Sequence, residues 1–158
     1  MELPPRSIEP EGLFDGLKPG AILIGAVVDH VATAIAFSAL VAWLGPADAI
    51  SGDEEARRSA IDGLLSQPEF LLWSLAVGLC CTVLGAYVGA TRAGALRVRH
   101  GGWIAVASAA LGLAAALLSG QSPSQAPPLW HEALGWGLLL PAGLLGGLLS
   151  EKLHAARD

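Results

Sequence analysis

Four long apolar segments constrain the fold of this 158-residue chain more than any other feature. A bilayer core about 30 Å thick needs roughly 20 apolar residues in helical form. The alternation typical of transmembrane strands is absent. We therefore predict an all-α integral membrane protein with four transmembrane helices in an up-down bundle. The predicted spans are residues 20–44, 70–90, 103–119 and 133–149.

The composition fits one membrane domain with short polar tails. The chain is 53% hydrophobic and 15% charged, whereas soluble domains carry about a quarter charged residues. We expect a polar tail over 1–18, the transmembrane domain over 19–150 and a second tail over 151–158. The polar start does not resemble a cleavable signal peptide, so the first span is expected to stay as an anchor.

The distribution of lysine and arginine predicts the orientation, because cytoplasmic loops carry an excess of these residues. Seven of the nine fall on one side of a four-span arrangement, and the other side carries Arg57 and Arg58. Both termini are therefore expected in the cytoplasm. The seven are Arg6, Lys18, Arg92, Arg97, Arg99, Lys152 and Arg157. Arg92, Arg97 and Arg99 can bind anionic lipid headgroups, as can the nearby His100, although topology alone also explains the arginines.

The two outer loops differ in character. The first, over 45–69, is acidic, and Ser51 followed by Glu54 has the spacing of a helix capping box. Apolar residues then recur at helical spacing, which predicts a short amphipathic helix that ends near Pro68. The second loop, over 120–132, is rich in proline and serine and is expected to lack regular structure.

Glycine pairs at helical spacing mark the cytoplasmic ends of the second and fourth spans. Gly85 and Gly89 form one pair, and Gly143 and Gly147 form the other. The similarity suggests two tandem hairpins, although chance also explains it because the chain has 20 glycines. Such faces let helix backbones approach closely in lipid. They serve packing within the chain, or they bind a partner membrane protein or a second copy.

Asp29 is the most unusual residue, because it places a carboxylate near the middle of the first span. An ionisable residue at that depth is costly and marks a functional site by default. Thr33 lies on the same helical face, and His30 is rotated by about 100°. One hypothesis is a proton or cation site. The alternative is a structural polar contact between helices, with a protonated Asp29 bonded to a backbone carbonyl, Thr33, Ser108 or Tyr87.

A metal site and an enzyme are both weakly supported. Cys80 and Cys81 lie at a depth similar to that of Asp29 and His30, and such a set can bind zinc or copper. Adjacent cysteines on a helix point in different directions, so packing is the preferred interpretation and no metal or other cofactor is predicted. No nucleophile elbow, zincin motif or phosphate loop is present.

Three sequence features together carry a resemblance to a family. They are the aspartate in the first span, the Gly-Ala-Tyr-Val-Gly-Ala-Thr-Arg ending at Arg92, and the Leu-Pro-Ala-Gly-Leu-Leu-Gly-Gly ending at Gly147. In these features the chain resembles small four-span bacterial membrane proteins that have no assigned activity. The resemblance implies a prokaryotic plasma membrane and implies no catalytic residue.

Two functional hypotheses follow from the sequence. The leading one is a non-enzymatic accessory or structural protein that binds a membrane partner or itself through its Gly/Ala faces. The alternative is a small oligomeric transporter or channel that uses Asp29 and His30 for proton or cation coupling. Nucleic acid is not an expected partner, because no basic patch is interleaved with aromatic residues.

Overall fold

A computed structural model describes residues 12–119 and 127–156 of the chain. These residues form six α-helices and no strand, which confirms the all-helical prediction over the described ranges. Four of the helices are long and apolar enough to cross a membrane. The helices are α1 (Pro19–Leu44), α2 (Asp48–Ser51), α3 (Glu54–Leu65), α4 (Pro68–Ala93), α5 (Arg97–Ser119) and α6 (Leu129–Ala155).

The long helices extend beyond the predicted spans, because a helix continues through polar residues that an apolar run excludes. The third begins at Arg97 and the fourth at Leu129, and the fourth ends at Ala155. The second outer loop is therefore shorter than expected: residues 129–132 are helical, and residues 120–126 lie outside the described part. Most of the N-terminal tail and residues 157–158 also lie outside it.

The helix in the first loop is capped by a different residue from the predicted one. Asp53 precedes α3, and its carboxylate accepts a hydrogen bond of 2.9 Å from the backbone N–H of Ala56. Ser51 instead belongs to α2 and donates to the carbonyl of Ala47. The capping-box prediction was wrong because a better acceptor, a carboxylate, lies directly before the helix.

Long helices that are consecutive in the chain run antiparallel, whereas α4 and α6 pack side by side in the same direction. The start of α1 and the end of α4 meet where Gly89 approaches the carbonyl of Ala21. The end of α1 and the start of α4 meet where Phe37 and Phe70 pack edge to face. Both α4 and α5 contact all the other long helices, and α4 packs most extensively against α1 and α6.

The two ends of the bundle differ in charge. At one end α1 and α5 begin and α4 and α6 end, and this basic end carries Lys18, Arg92, Arg97, Arg99 and Lys152. At the opposite, acidic end lie α2, α3 and the start of α6. Both arginines of α3 pair with Glu54 there. The carboxylates of this end outnumber its two arginines.

Glycines close the half of the bundle nearest the basic end. A Cβ on Gly85 would lie 2.6 Å from the carbonyl oxygen of Gly25, and one on Gly147 would lie 2.6 Å from that of Arg97. The glycines at 89 and 143 are equally enclosed. All four predicted packing glycines therefore contact helices of the same chain.

In the half nearest the acidic end, α5 and α6 bury few side chains, whereas α1 and α4 pack with α2 and α3 in a hydrophobic cluster around Phe70 and Leu64. The buried residues of α6 all lie at or beyond Ala142, and those of α5 lie at or before Ser108. A Cβ on Gly78 or Gly137 would have no heavy atom within 4 Å. The same four helices thus make a closed half and an open half.

Candidate functional site

Asp29 lies at the boundary between the closed and open halves. It is ten residues into α1, about 15 Å from the helix start at 1.5 Å per residue. Its side chain is only 4% exposed. Thr33, one turn further along α1, donates a hydrogen bond of 3.4 Å to the Asp29 Oδ1 atom. The carboxylate is thus held partly by its own helix, as its spacing from Thr33 predicts.

The second partner of Asp29 comes from α4. The Thr82 hydroxyl lies 3.2 Å from Asp29 Oδ1, 3.4 Å from Oδ2 and 3.2 Å from the carbonyl oxygen of Gly78. A hydroxyl has one proton to donate, so Thr82 serves either the carboxylate or the carbonyl at any moment. Thr82 therefore links α1 to α4, but its proton is shared between Asp29 and the Gly78 carbonyl.

The carboxylate of Asp29 is under-supplied with donors. An ionised carboxylate accepts about four hydrogen bonds, and hydroxyl donors usually approach to about 2.7–2.8 Å. The contacts from Thr33 and Thr82 are longer than this. Asp29 therefore retains acceptor capacity for a further donor or a cation.

That capacity faces a cavity of about 400 Å³ between the four long helices. The cavity extends from Asp29 towards the acidic end, where it reaches Glu132 at the start of α6. From Ser74 to Thr82 it follows eight residues of α4, or about 12 Å. Its lining residues are Asp29, Thr33, Ser74, Leu75, Gly78, Leu79, Thr82, Ala109, Gly112, Pro127, His131, Glu132, Gly135, Trp136 and Leu139.

Ser74 and His131 form a polar pair at the wide end of the cavity. The Ser74 hydroxyl donates to the carbonyl of Leu71 at 2.9 Å, so its proton is already used. While Ser74 donates to Leu71, its 3.2 Å contact with His131 Nε2 is a hydrogen bond that an Nε2–H tautomer of the imidazole donates. This bond ties the start of α6 to α4 across the mouth.

The charges around the cavity favour a positive ligand. Two carboxylates line it, Asp29 at its floor and Glu132 at its mouth, and the lining contains no lysine or arginine. Low-dielectric walls focus the field of such charges and raise the local concentration of cations. The arrangement can bind a cation and concentrate it at Asp29.

His30 does not share this cavity with Asp29. Its Nδ1 atom lies 3.0 Å from the carbonyl oxygen of Ala26, one turn back on α1. Its Nε2 atom faces α5 at Gly112. The structure thus separates the two adjacent ionisable residues onto different helix interfaces.

The structure also separates the residues of the metal hypothesis. Cys80 is exposed, whereas Cys81 is buried and interacts with the Thr33 side chain. Across residues 12–119 and 127–156, no group of three or more His, Cys, Asp or Glu side chains is placed to hold a metal ion. Asp29, His30, Cys80 and Cys81 therefore do not converge on one point.

The basic end engages the residues that we expected to meet lipid headgroups. The Arg99 guanidinium donates to the backbone carbonyls of Gly12 and Asp15. His100 is 0% exposed, and its Nε2 accepts a 3.0 Å hydrogen bond from the backbone N–H of Lys18. The expectation for His100 was wrong, because its side chain is used to join the start of α1 to α5. Arg92 stays exposed, and the Nε atom of Arg97 is buried.

Several cavity residues were not singled out from the sequence. Thr82 has one signal in the sequence, which is a depth in its span similar to that of Asp29. Ser74 and Trp136 look like ordinary span-edge residues, and His131 and Glu132 were assigned to a loop. For Ser74, Trp136, His131 and Glu132 the one available signal is position, since each lies near the acidic end of a span.

Fold and site together define a class, that of multi-pass helical membrane proteins with a buried carboxylate under an acidic cavity. No protein-family model, curated protein or solved structure matches the chain.

Proposed function

We propose that this chain is a small multi-pass membrane protein that binds a cation at Asp29 and moves it as a transporter or channel. The observation that carries the proposal is the buried, under-donated Asp29 carboxylate at the floor of an acidic cavity. An intramembrane carboxylate that lines a cavity is typical of ion and substrate pathways. His30 has no part in this proposal, because its side chain does not line the cavity.

The proposed orientation places the acidic end outside the cell and both termini in the cytoplasm of a prokaryote. The lysines and arginines of the described basic end support it, since cytoplasmic ends are enriched in them. In this orientation the cavity opens towards the exterior and collects cations there. The cation then waits at Asp29, about halfway across.

The closed half of the bundle limits what one conformation can do. Contacts at Gly85, Gly89, Gly143 and Gly147 leave little space between Asp29 and the basic end. Release to the cytoplasm therefore requires these helices to separate, or requires a pathway shared with a second copy. We propose alternating access, in which the structure represents the state open to the exterior.

The geometry gives less support to a partner-binding role through the Gly/Ala faces. The four glycines of those faces are in contact with α1 and α5 of the same chain. These four glycines are therefore already used in packing within the chain. The cavity at Asp29 is by contrast unfilled by any side chain of the described residues.

Electrogenic flux in proteoliposomes tests the proposal. Currents are recorded on a solid-supported membrane after concentration jumps of H⁺, Na⁺, K⁺ and butylammonium, for the wild type and Asp29→Asn. The matched control is Asp62→Asn on α3, which makes the same change at an exposed site. We expect at least one cation to give a current that Asp29→Asn abolishes and Asp62→Asn preserves. Equal currents in wild type and Asp29→Asn, or no current with any cation, would contradict the proposal.

A further inference from the structure

We infer that the cavity above Asp29 takes a small organic ammonium ion with an apolar body. This inference rests on the proposed function, because it names the class of cation that reaches the carboxylate. Three observations support it: the scarcity of oxygen ligands at the floor, the size and apolar walls of the cavity, and the aromatic and acidic groups along its path.

The floor of the cavity offers few oxygen atoms. Beside the Asp29 carboxylate, the side-chain oxygens there are the hydroxyls of Thr33 and Thr82. A hard cation such as Ca²⁺ takes six to eight oxygen ligands at about 2.3–2.6 Å. A primary ammonium group has three N–H donors, so one carboxylate and two hydroxyls satisfy it completely. The carboxylate and two hydroxyls therefore suit an ammonium group better than a dehydrated metal ion such as Ca²⁺, which needs more oxygen ligands.

The space above the floor is too large for a bare ion. Its volume of about 400 Å³ lies within the range of about 300–1,000 Å³ for small-molecule sites. Leu75 and Leu79 on α4 and Leu139 on α6 form apolar walls, and Gly78 leaves room between them. An alkyl chain attached to the ammonium group would bury its methylenes against these leucines.

Trp136 and Glu132 lie along the route to the floor. The indole of Trp136 is half exposed and lines the cavity, where it offers a cation–π contact to a passing ammonium group. The Glu132 carboxylate repels anions at the mouth. The site therefore discriminates by charge at its entrance and by apolar shape inside.

Saturable binding of radiolabelled hexylammonium to the protein in nanodiscs tests the inference. We expect unlabelled butylammonium to compete about tenfold less well than hexylammonium, since two methylenes fewer are buried. Hexanol and hexanesulfonate at the same concentrations should not compete, because they lack the positive charge. Competition by hexanol equal to that by hexylammonium would overturn the inference.

Two variants locate the binding. Gly78→Leu extends a side chain into the cavity that Gly78 lines, because a Cβ there has no heavy atom within 4 Å. Its matched control is Gly137→Leu on α6, which also meets nothing within 4 Å and does not line the cavity. We expect Gly78→Leu and Asp29→Asn to weaken hexylammonium binding at least tenfold, and Gly137→Leu to bind as the wild type does. Wild-type affinity in Gly78→Leu would overturn the inference.

The inference and the proposed function fail in different ways. If hexylammonium does not bind while Na⁺, K⁺ or H⁺ gives a current that depends on Asp29, the inference is wrong and the proposed function stands. If no cation shows any dependence on Asp29 in either experiment, both are wrong.

Discussion

The basic half and the acidic half of the bundle are built from the same four helices, yet they pack in opposite ways. In the basic half, glycines at 85, 89, 143 and 147 bring backbones into contact. In the acidic half, α5 buries none of its described residues after Ser108, and α6 buries none before Ala142. In lipid, close packing rather than burial from water holds helices together. The comparison places the closest backbone contacts in the basic half and the open cavity between α4, α5 and α6 in the acidic half.

Asp29 lies where the two halves meet, and its surroundings combine features of both. Below it, Gly85 approaches so closely that an added Cβ would lie 2.7 Å from the Asp29 Cβ atom. Above it, the carboxylate faces open space. The close contact with Gly85 fixes the position of the Asp29 side chain, while the cavity leaves its carboxylate accessible.

The largest expected effect comes from adding one methyl group in the basic half. Gly143→Ala places a Cβ 2.5 Å from the carbonyl oxygen of Gly101, and overpacking of this kind costs about 1–3 kcal/mol or more. The control is Gly137→Ala on the same helix, where the space is open and alanine is the better helix former. Unfolding by denaturant in detergent should show Gly143→Ala strongly destabilised and Gly137→Ala not destabilised. Equal stabilities would contradict the division into halves.

A smaller loss of stability is expected from His100→Ala at the basic end. The substitution leaves a cavity and removes the acceptor for the Lys18 N–H and the contact to the carbonyl of Leu96. We expect a cost of about 1–2 kcal/mol, below the upper end of the range for Gly143→Ala, with hexylammonium affinity unchanged. His154→Ala, at the exposed end of α6, should change stability much less. An affinity that falls in His100→Ala would show that the two halves are coupled.

Thr82→Val in the acidic half should lower hexylammonium affinity and leave stability nearly unchanged, the opposite of His100→Ala. Valine keeps the shape but removes the donor that Asp29 and the Gly78 carbonyl share. Single hydrogen bonds between membrane helices contribute about 0.6 kcal/mol, so stability should change little. Hexylammonium affinity should fall about threefold to tenfold, as expected for the loss of one ligand oxygen near 1 kcal/mol. Unchanged affinity with reduced stability would make Thr82 a structural contact only.

Ser74→Ala should have the smallest effect of all. It removes the acceptor of the His131 hydrogen bond at the mouth, far from the Asp29 floor. We expect unchanged stability and about a twofold change in the association rate of hexylammonium, measured by rapid mixing. A tenfold loss of equilibrium affinity would move the site from the floor to the mouth.

The sequence predicts the basic half better than the acidic half, for a physical reason. Glycine pairs at helical spacing predict close helix packing, and an isolated carboxylate such as Asp29 is easily recognised within an apolar segment. The cavity depends on where α5 and α6 diverge, and no residue type encodes that. Thr82 is chemically ordinary in a membrane helix, so its contact with Asp29 emerges only from the rotation of α4 against α1. His131 and Glu132 escaped notice because the proline-rich loop was expected to include them, whereas α6 begins at Leu129.

Thiol accessibility along α4 tests the central claim most directly. In a background with Cys80→Ala and Cys81→Ala, single cysteines are placed by Gly78→Cys in the cavity and by Ala86→Cys in the closed half, where Ala86 is fully buried. The account predicts that a cationic methanethiosulfonate modifies Gly78→Cys, faster than an anionic one does, and leaves Ala86→Cys unmodified. Equal reactivity at both positions, or an unreactive Gly78→Cys, would contradict an open acidic cavity above a closed basic half.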